Sequence, residues 1–435
     1  MKQYCVISAP VDTYSGYGSR ARDLVKAIYE LKGKDWHIEI LSQRWGNTPW
    51  GYIQDHKESW GFIDGLISKS GQLQKQPDIW MQVTVPNEFQ PIGKYNLGFT
   101  AGIETTICDP SWIEGINRMN KTLVSSNHAK TVFEQSKFQQ QDQSGKIIGT
   151  IALQKPIEVL FEGVDLNKYF EIKDEDLEDT DLVVALDEIK EDFCYLFVGH
   201  WLNGEIGHDR KNVGETIKTF LETFKNKREK PALILKTSSA GSSIMDRDSI
   251  LDRIDKIKNT IDSKDLPNVY LLHGEMDDYE INNLYNHHKV KAMVYLGHGE
   301  GYGRPLLEFS VLKKPIIASA WSGHTDFLYM LYVSMVGGEI KPVHPSAQVQ
   351  NMIIPESQWF YVDNKQAEFY LKEVYEKYDK YVEKAKRQAH KTKTEFSLDK
   401  MKDAIAPYLE VVPKYEGLKL PQLKKIELPK LQPVK

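Results

Sequence analysis

Short apolar runs alternate with stretches of helical period twice along this chain, and that double alternation most restricts what it can fold into. In the first series, residues 4–8, 38–42, 79–83, 97–101 and 122–125 read as strands. Residues 19–31 read as a helix with Ala21, Leu24, Val25, Ile28 and Tyr29 on one face, and a second helix runs on from residue 125 through Phe133. The second series places strands at 195–199, 232–236, 269–272, 292–296 and 315–318, with helices at 213–224, 248–256, 278–285 and 305–312 between and after them. A strand reaches a parallel neighbour only through a crossover, so strands alternating with helices imply parallel βαβ units. Two such series predict an α/β chain of two doubly wound Rossmann-like domains facing a cleft.

The acidic stretch 171–191 (Asp174, Glu175, Asp176, Glu178, Asp179, Asp181) reads as a solvated linker between them. The expected divisions are one domain over residues 1–175, a second over 190–385, a helix over 390–410 returning to the first, and an extended Lys/Pro-rich tail over 414–435. A single long helical segment is expected over 366–388. The chain carries 56 Lys and Arg against 61 Asp and Glu, a net charge of −5, which argues against an overall basic nucleic-acid binder. Cys5, Cys108 and Cys194 are far apart, so neither a disulfide framework nor a cysteine zinc site is expected. The longest near-apolar run, 327–336, is too short to span a bilayer, and a cytoplasmic location is expected.

The residues that carry chemistry gather after strands. Gly297, Gly299, Gly301 and Gly303 form a glycine-rich loop behind residue 296, with Glu300 and Tyr302 among them, and Arg304 and Pro305 open the next helix. Such a loop lets a ligand approach the backbone, and free N–H groups at a helix start suit a phosphate. Glu308 lies one turn beyond Arg304 on the same face, where a carboxylate can accept bonds from a ribose diol. The alternative is a buried turn with an ordinary capping pattern. Arg210 and Lys211 follow the strand at 195–199 and its His200, and an exposed basic helix start is the alternative there. Gly16 and Gly18 follow the first strand, as a ligand loop or a tight turn. Glu104 follows the strand at 97–101, and Ser125, Ser126, Asn127 and His128 follow the one at 122–125, where helix capping is an equal reading. Lys236 and His273 close two further strands. Asp174 and Asp176 have the Asp-x-Asp shape of a metal site but lie in the acidic linker with no strand before them, and no metal is expected.

Glu300 and Glu308 stand in a Glu-x7-Glu spacing, and residues 300–323 (EGYGRPLLEFSVLKKPIIASAWSG) resemble the signature of retaining nucleotide-sugar glycosyltransferases with the two-Rossmann GT-B fold, the group 1 or family-four kind. The resemblance extends over roughly residues 1–410 and departs from the family at His200 in place of an arginine, at Arg304 in place of an aliphatic residue, and at Asp326 where a Pro-Glu pair usually lies. It implies an amino-terminal acceptor-side domain and a carboxyl-terminal nucleotide-sugar domain. It also implies that Glu300 contacts the transferred sugar and Glu308 the ribose, with Gly301, Tyr302, Gly303 and Arg304 in the donor loop. Arg210 and Lys211 would offset the diphosphate in place of a metal, Lys236 would lie near a phosphate, and the segment at His273 near the base. Gly16 and Gly18 would close over the donor from the other domain, and Glu104 would meet acceptor or donor hydroxyls. The catalytic candidates are therefore Glu300, Lys211 and Glu104, with a nucleotide-diphosphate sugar as co-substrate and no bound cofactor.

The implied activity is transfer of a sugar, hexosyl or pentosyl, to a glycan or lipid-linked sugar. A phage-type DNA glycosyltransferase acting on a hydroxymethylated pyrimidine, and an inactive binding protein of the same fold, are the alternatives.

Overall fold

The computed structural model describes residues 2–414 apart from 143, 179, 203, 240 and 242, and leaves the Asp174 side chain undescribed; the tail expected from 415 onward lies outside the described residues. Two six-stranded parallel sheets form its frame. The first runs in the order Trp36–Ser42, Gln3–Ala9, Ile79–Val83, Tyr95–Thr100, Lys121–Val124, Ile157–Val159. The second runs Val269–Leu272, Ala232–Lys236, Cys194–Val198, Val290–Tyr295, Ile316–Ser319, Ser334–Val336. In chain order the second sheet reads 3-2-1-4-5-6, the dinucleotide-binding arrangement, so its topological switch point lies between Cys194–Val198 and Val290–Tyr295.

Burial of both faces explains why these strands read as continuous apolar runs rather than alternating ones. In the first strand Cys5, Ile7 and Ala9 enter one core while Tyr4 and Val6 enter another on the opposite face. The helix Leu398–Glu410 packs Met401, Ile405 and Leu409 into the first of these cores, although it follows the whole second sheet in sequence.

Several expectations are corrected. The 366–388 segment is two helices, Asn364–Glu376 and Tyr378–Glu395, broken at Lys377. The acidic linker is only partly solvated: Asp181–Asp187 is a helix capped by the Thr180 side chain, and its Leu182 and Leu186 enter the core around the second sheet. Tyr29, assigned to the apolar face of the first helix, is 44% exposed. Two antiparallel hairpins were not foreseen, Phe138–Gln141 with Ile147–Ile151 and Gly338–Pro342 with Gln358–Val362. All three cysteines are buried and unpaired. Among the described residues no helix is long and apolar enough to cross a membrane.

Candidate active site between the carboxyl edges of the sheets

In each sheet the loops after the strands carry the polar residues, and these two edges meet. Ala101 and Glu104 follow Tyr95–Thr100, and Ser126 follows Lys121–Val124. They pack on residues that follow Cys194–Val198, Val290–Tyr295 and Ile316–Ser319. The Ser126 hydroxyl donates to the Gly301 carbonyl at 2.9 Å, the Asn127 amide donates to Asp326 at 2.8 Å, and the Trp321 indole donates to the Glu104 carbonyl at 3.1 Å. Asp326 therefore caps the helix Asn127–Gln135 from across the cleft. Gly301 is needed for this approach, since a Cβ there would lie 2.9 Å from the Ala101 carbonyl oxygen.

Four of the candidate residues converge at the switch point. Lys211 contacts the Glu300 carboxylate directly, Arg210 contacts Glu104, and Arg210 lies 3.7 Å from Glu300. The loop that brings them is fixed from below: the Asn212 amide donates to the Leu296 carbonyl at 2.9 Å, and the His298 N–H donates to the Arg210 carbonyl at 3.1 Å. Glu300 is only 8% exposed. Burial alone would raise its carboxyl, but Lys211 and Arg210 outweigh burial and hold it down at about 2. Burial pulls the Lys211 ammonium down, and Glu300 pulls it back. Burial, followed by Lys211, Arg210 and Lys236, lowers the neighbouring His200 imidazole. Three cations thus bear on one corner beside the glycine loop and, with burial, favour the neutral form of His200.

A second cluster contains the other half of the acidic pair. Gly303, in the left-handed region at φ +100°, turns the chain into the helix Arg304–Phe309, with Pro305 in its first turn. Arg304 lies 3.5 Å from Glu308 one turn on, as the spacing predicts. Its guanidinium also crosses the cleft to Asp23 at 2.8 Å and Glu162 at 3.3 Å. The aliphatic residue expected there is replaced by a charged clamp between the domains, its far side completed by Ser125, which donates to Glu162 at 2.9 Å. Burial pushes the Glu308 carboxyl up to about 8; Arg304 opposes this, while Asp278, Asp23 and Glu162 add to it. Asp278, beside this cluster, is itself held by Lys168 at 2.6 Å and by Tyr169 at 3.0 Å.

The remaining candidates are placed less directly. Tyr302 is a core side chain, 2% exposed and packed on Phe327, so only its backbone is available to a ligand. Gly18 is demanded by packing, because a Cβ would meet the Thr13 carbonyl oxygen at 2.3 Å, whereas Gly16 faces open space. The Lys236 ammonium donates to the Gly274 carbonyl. The His273 ring is engaged by Asp246 at 2.8 Å. His128, read as a surface side chain if taken alone, is half-buried, set edge-on to Trp321 and lowered to about 4 by burial.

Sequence reasoning missed Asp23, Glu162, Trp321 and the hairpin 338–362. The available signal for Asp23 was a run of charge, Arg20, Arg22 and Asp23, inside a helix with a strong apolar face; all three are buried. The hairpin covers the glycine loop, with the His298 ring stacked on Trp359 at 4.6 Å and Phe360 stacked on Trp321 at 6.1 Å. It also joins the opposite domain, where the Thr106 N–H donates to the Gln358 carbonyl at 2.9 Å.

No protein-family model matches the sequence, and no curated protein is significantly similar to it. Solved structures do match in shape. Sucrose-phosphate synthase from Thermosynechococcus elongatus is 12% identical, with 94% of this chain and 98% of that one covered at a TM-score of 0.58. Anabaena HepE in complex with UDP and glucose is 12% identical, with 94% and 99% covered at 0.58. The UDP-forming trehalose-phosphate synthase from Burkholderia xenovorans is 12% identical, with 95% and 99% covered at 0.57. The chain has the two-domain GT-B fold of these glycosyltransferases across nearly its whole described length.

Proposed function

We propose that this protein is a retaining glycosyltransferase that takes a sugar from a nucleotide-diphosphate donor and delivers it to a glycan or lipid-linked sugar. The observation that carries the reading is the convergence of Arg210, Lys211 and Glu300 beside the glycine loop at the switch point of the second sheet. Ligands of doubly wound sheets bind at that place. Neighbours in fold include a protein captured with UDP and glucose and a UDP-forming synthase, which supports a nucleotide sugar as donor.

In this reading the diphosphate oxygens take over the cations that Glu104 and Glu300 now engage, and Arg210 and Lys211 stabilise the charge that grows on the leaving phosphate. Glu300, held ionised, binds the transferred sugar. Glu308 binds the ribose diol, and Glu104 orients a hydroxyl from the acceptor side. The attacking hydroxyl enters on the face that the phosphate leaves and passes its proton to the departing phosphate, so the bond to the acceptor oxygen replaces the bond to the phosphate oxygen and the anomeric configuration is kept. No metal is needed, because side-chain cations and loop amides meet the phosphate charge.

The test is turnover of a nucleotide-sugar panel with EDTA present, the product anomer being read by NMR. Retained configuration with activity that survives chelation is expected. An inverted product, or activity restored only by Mg²⁺ or Mn²⁺, contradicts the mechanism.

A further inference from the structure

The loop after the second strand of the first sheet, residues 43–50, carries two indoles, and the glycosyltransferase reading gives neither a role. Trp45 lies face to face on Tyr17, with ring centroids 3.9 Å apart. Tyr17 is anchored beside the reaction centre: its hydroxyl accepts from the Ala101 N–H at 3.0 Å and contacts Thr100 at 3.0 Å. Ala101 is the residue against which Gly301 packs. Only Tyr17 and Ala101 therefore separate Trp45 from the loop that holds Glu300.

The platform is built rather than incidental. The Tyr14 N–H donates to the Pro49 carbonyl at 3.1 Å, Thr13 and Trp50 form a bridge, and the Thr48 hydroxyl donates to the Trp45 carbonyl at 2.7 Å. The Gly51 N–H donates to the Asp12 carbonyl at 3.0 Å, and the Asp12 carboxylate accepts from the Ile53 N–H at 2.7 Å. Two loops are thus tied into one unit whose indoles are held in place before any ligand arrives, which lowers the ordering cost of binding. Gly16, next to Tyr17 in the chain, and Gly46, next to Trp45, both face open space. Among the described residues Trp45 has Tyr17 as its ring partner, and Arg44 covers Trp50 at 4.6 Å instead.

The chemistry of the loop selects the class of occupant. Gln43, Arg44, Asn47 and Trp50 are exposed, so the loop offers two neutral amides, indole faces and a single cation with no carboxylate of its own. An apolar aromatic face with neutral amides around it suits the C–H face and hydroxyls of a sugar ring. A polyanion such as DNA calls for several phosphate-facing cations, which this loop lacks. The geometry points to Trp45 as the stacking residue for the acceptor, a neutral glycoside, with Gln43 and Asn47 binding its hydroxyls. The place of this contact in a reaction rests on the glycosyltransferase reading; the contact itself does not.

Uniform 5-fluorotryptophan labelling of the full chain, with the Trp45 signal assigned through Trp45→Phe, gives a direct readout in the wild-type protein. Maltotriose, cellotriose, mannotriose and chitotriose are titrated to millimolar concentration, beside a DNA duplex. At least one trisaccharide is expected to move the Trp45 fluorine signal. Trp45→Ala is expected to weaken that trisaccharide by about tenfold or more, while Trp45→Phe keeps most of the affinity. A silent Trp45 signal with all four trisaccharides, unchanged affinity in Trp45→Ala, or a shift with the duplex alone overturns the assignment. Hydrolysis of UDP-glucose, UDP-galactose and GDP-mannose by the wild-type protein is measured separately. Its absence removes the donor reading while the trisaccharide titration still decides the contact.

Discussion

At the scale of residues, the two glutamates of the acidic pair occupy opposite electrostatic environments. Glu300 sits against two cations and is held at about 2, while Glu308 is raised to about 8 by burial among other carboxylates. Their effects on stability have opposite signs. Glu300 contributes stability that is present above its unfolded value of 4.5 and is lost as pH falls toward 2. Glu308 contributes stability that is full below 4.5 and is lost as pH rises through about 8. Glu308→Gln should therefore flatten the decline in melting temperature across that upper window, and parallel curves for variant and parent would contradict this. The same pair should divide the donor between them. Above about pH 8, where Glu308 is ionised as well as Glu300, replacing a carboxylate by an amide exchanges charge-assisted bonds for neutral ones, worth roughly 1.5–3 against about 1 kcal/mol each. Glu308→Gln should then weaken UDP and UDP-sugar alike by about tenfold, whereas Glu300→Gln should spare UDP and lower turnover and the sugar-dependent part of the affinity. Calorimetry on both variants decides the matter, and equal losses of UDP binding in the two would contradict the division.

At the scale of elements, legibility followed burial and local signals. Strands buried on both faces announce themselves as apolar runs, and all ten strands expected in the two series are present with ends within two residues. The pairing of Arg304 with Glu308 was legible because helical period alone sets it. The interdomain partners of Arg304 were not, since Asp23 and Glu162 lie 281 and 142 residues away and no local pattern links them. The hairpin Gly338–Pro342 with Gln358–Val362 escaped because its first strand is wholly exposed and carries no apolar alternation. The break at Lys377 escaped because apolar residues continue on both sides of it. The helix Leu398–Glu410 gives a direct test of its docking on the first domain. Ile405 is fully buried there, so Ile405→Ala should cost about 2–5 kcal/mol in chemical denaturation. A loss near zero would mean that the helix is not part of that core.

At the scale of the whole molecule, ion pairs join the two carboxyl edges, among them Glu104 with Arg210 and Asp23 and Glu162 with Arg304. Both arginines follow strands of the second sheet, and both sets of carboxylates belong to the first domain. The first of these pairs occupies a cation assigned to the donor diphosphate, so donor binding and the domain contact draw on the same charge. That coupling makes affinity for a nucleoside diphosphate the most direct measure of the account. Calorimetric titration with UDP, ADP, GDP and dTDP, on the parent and on Lys211→Met, reads it without knowledge of the sugar or the acceptor. One nucleotide should bind at a single site in the absence of metal, and Lys211→Met should weaken it by at least about tenfold, since a charge-assisted phosphate contact is removed. Binding of none of the four, or binding that Lys211→Met leaves unchanged, would contradict a donor site at the switch point of the second sheet.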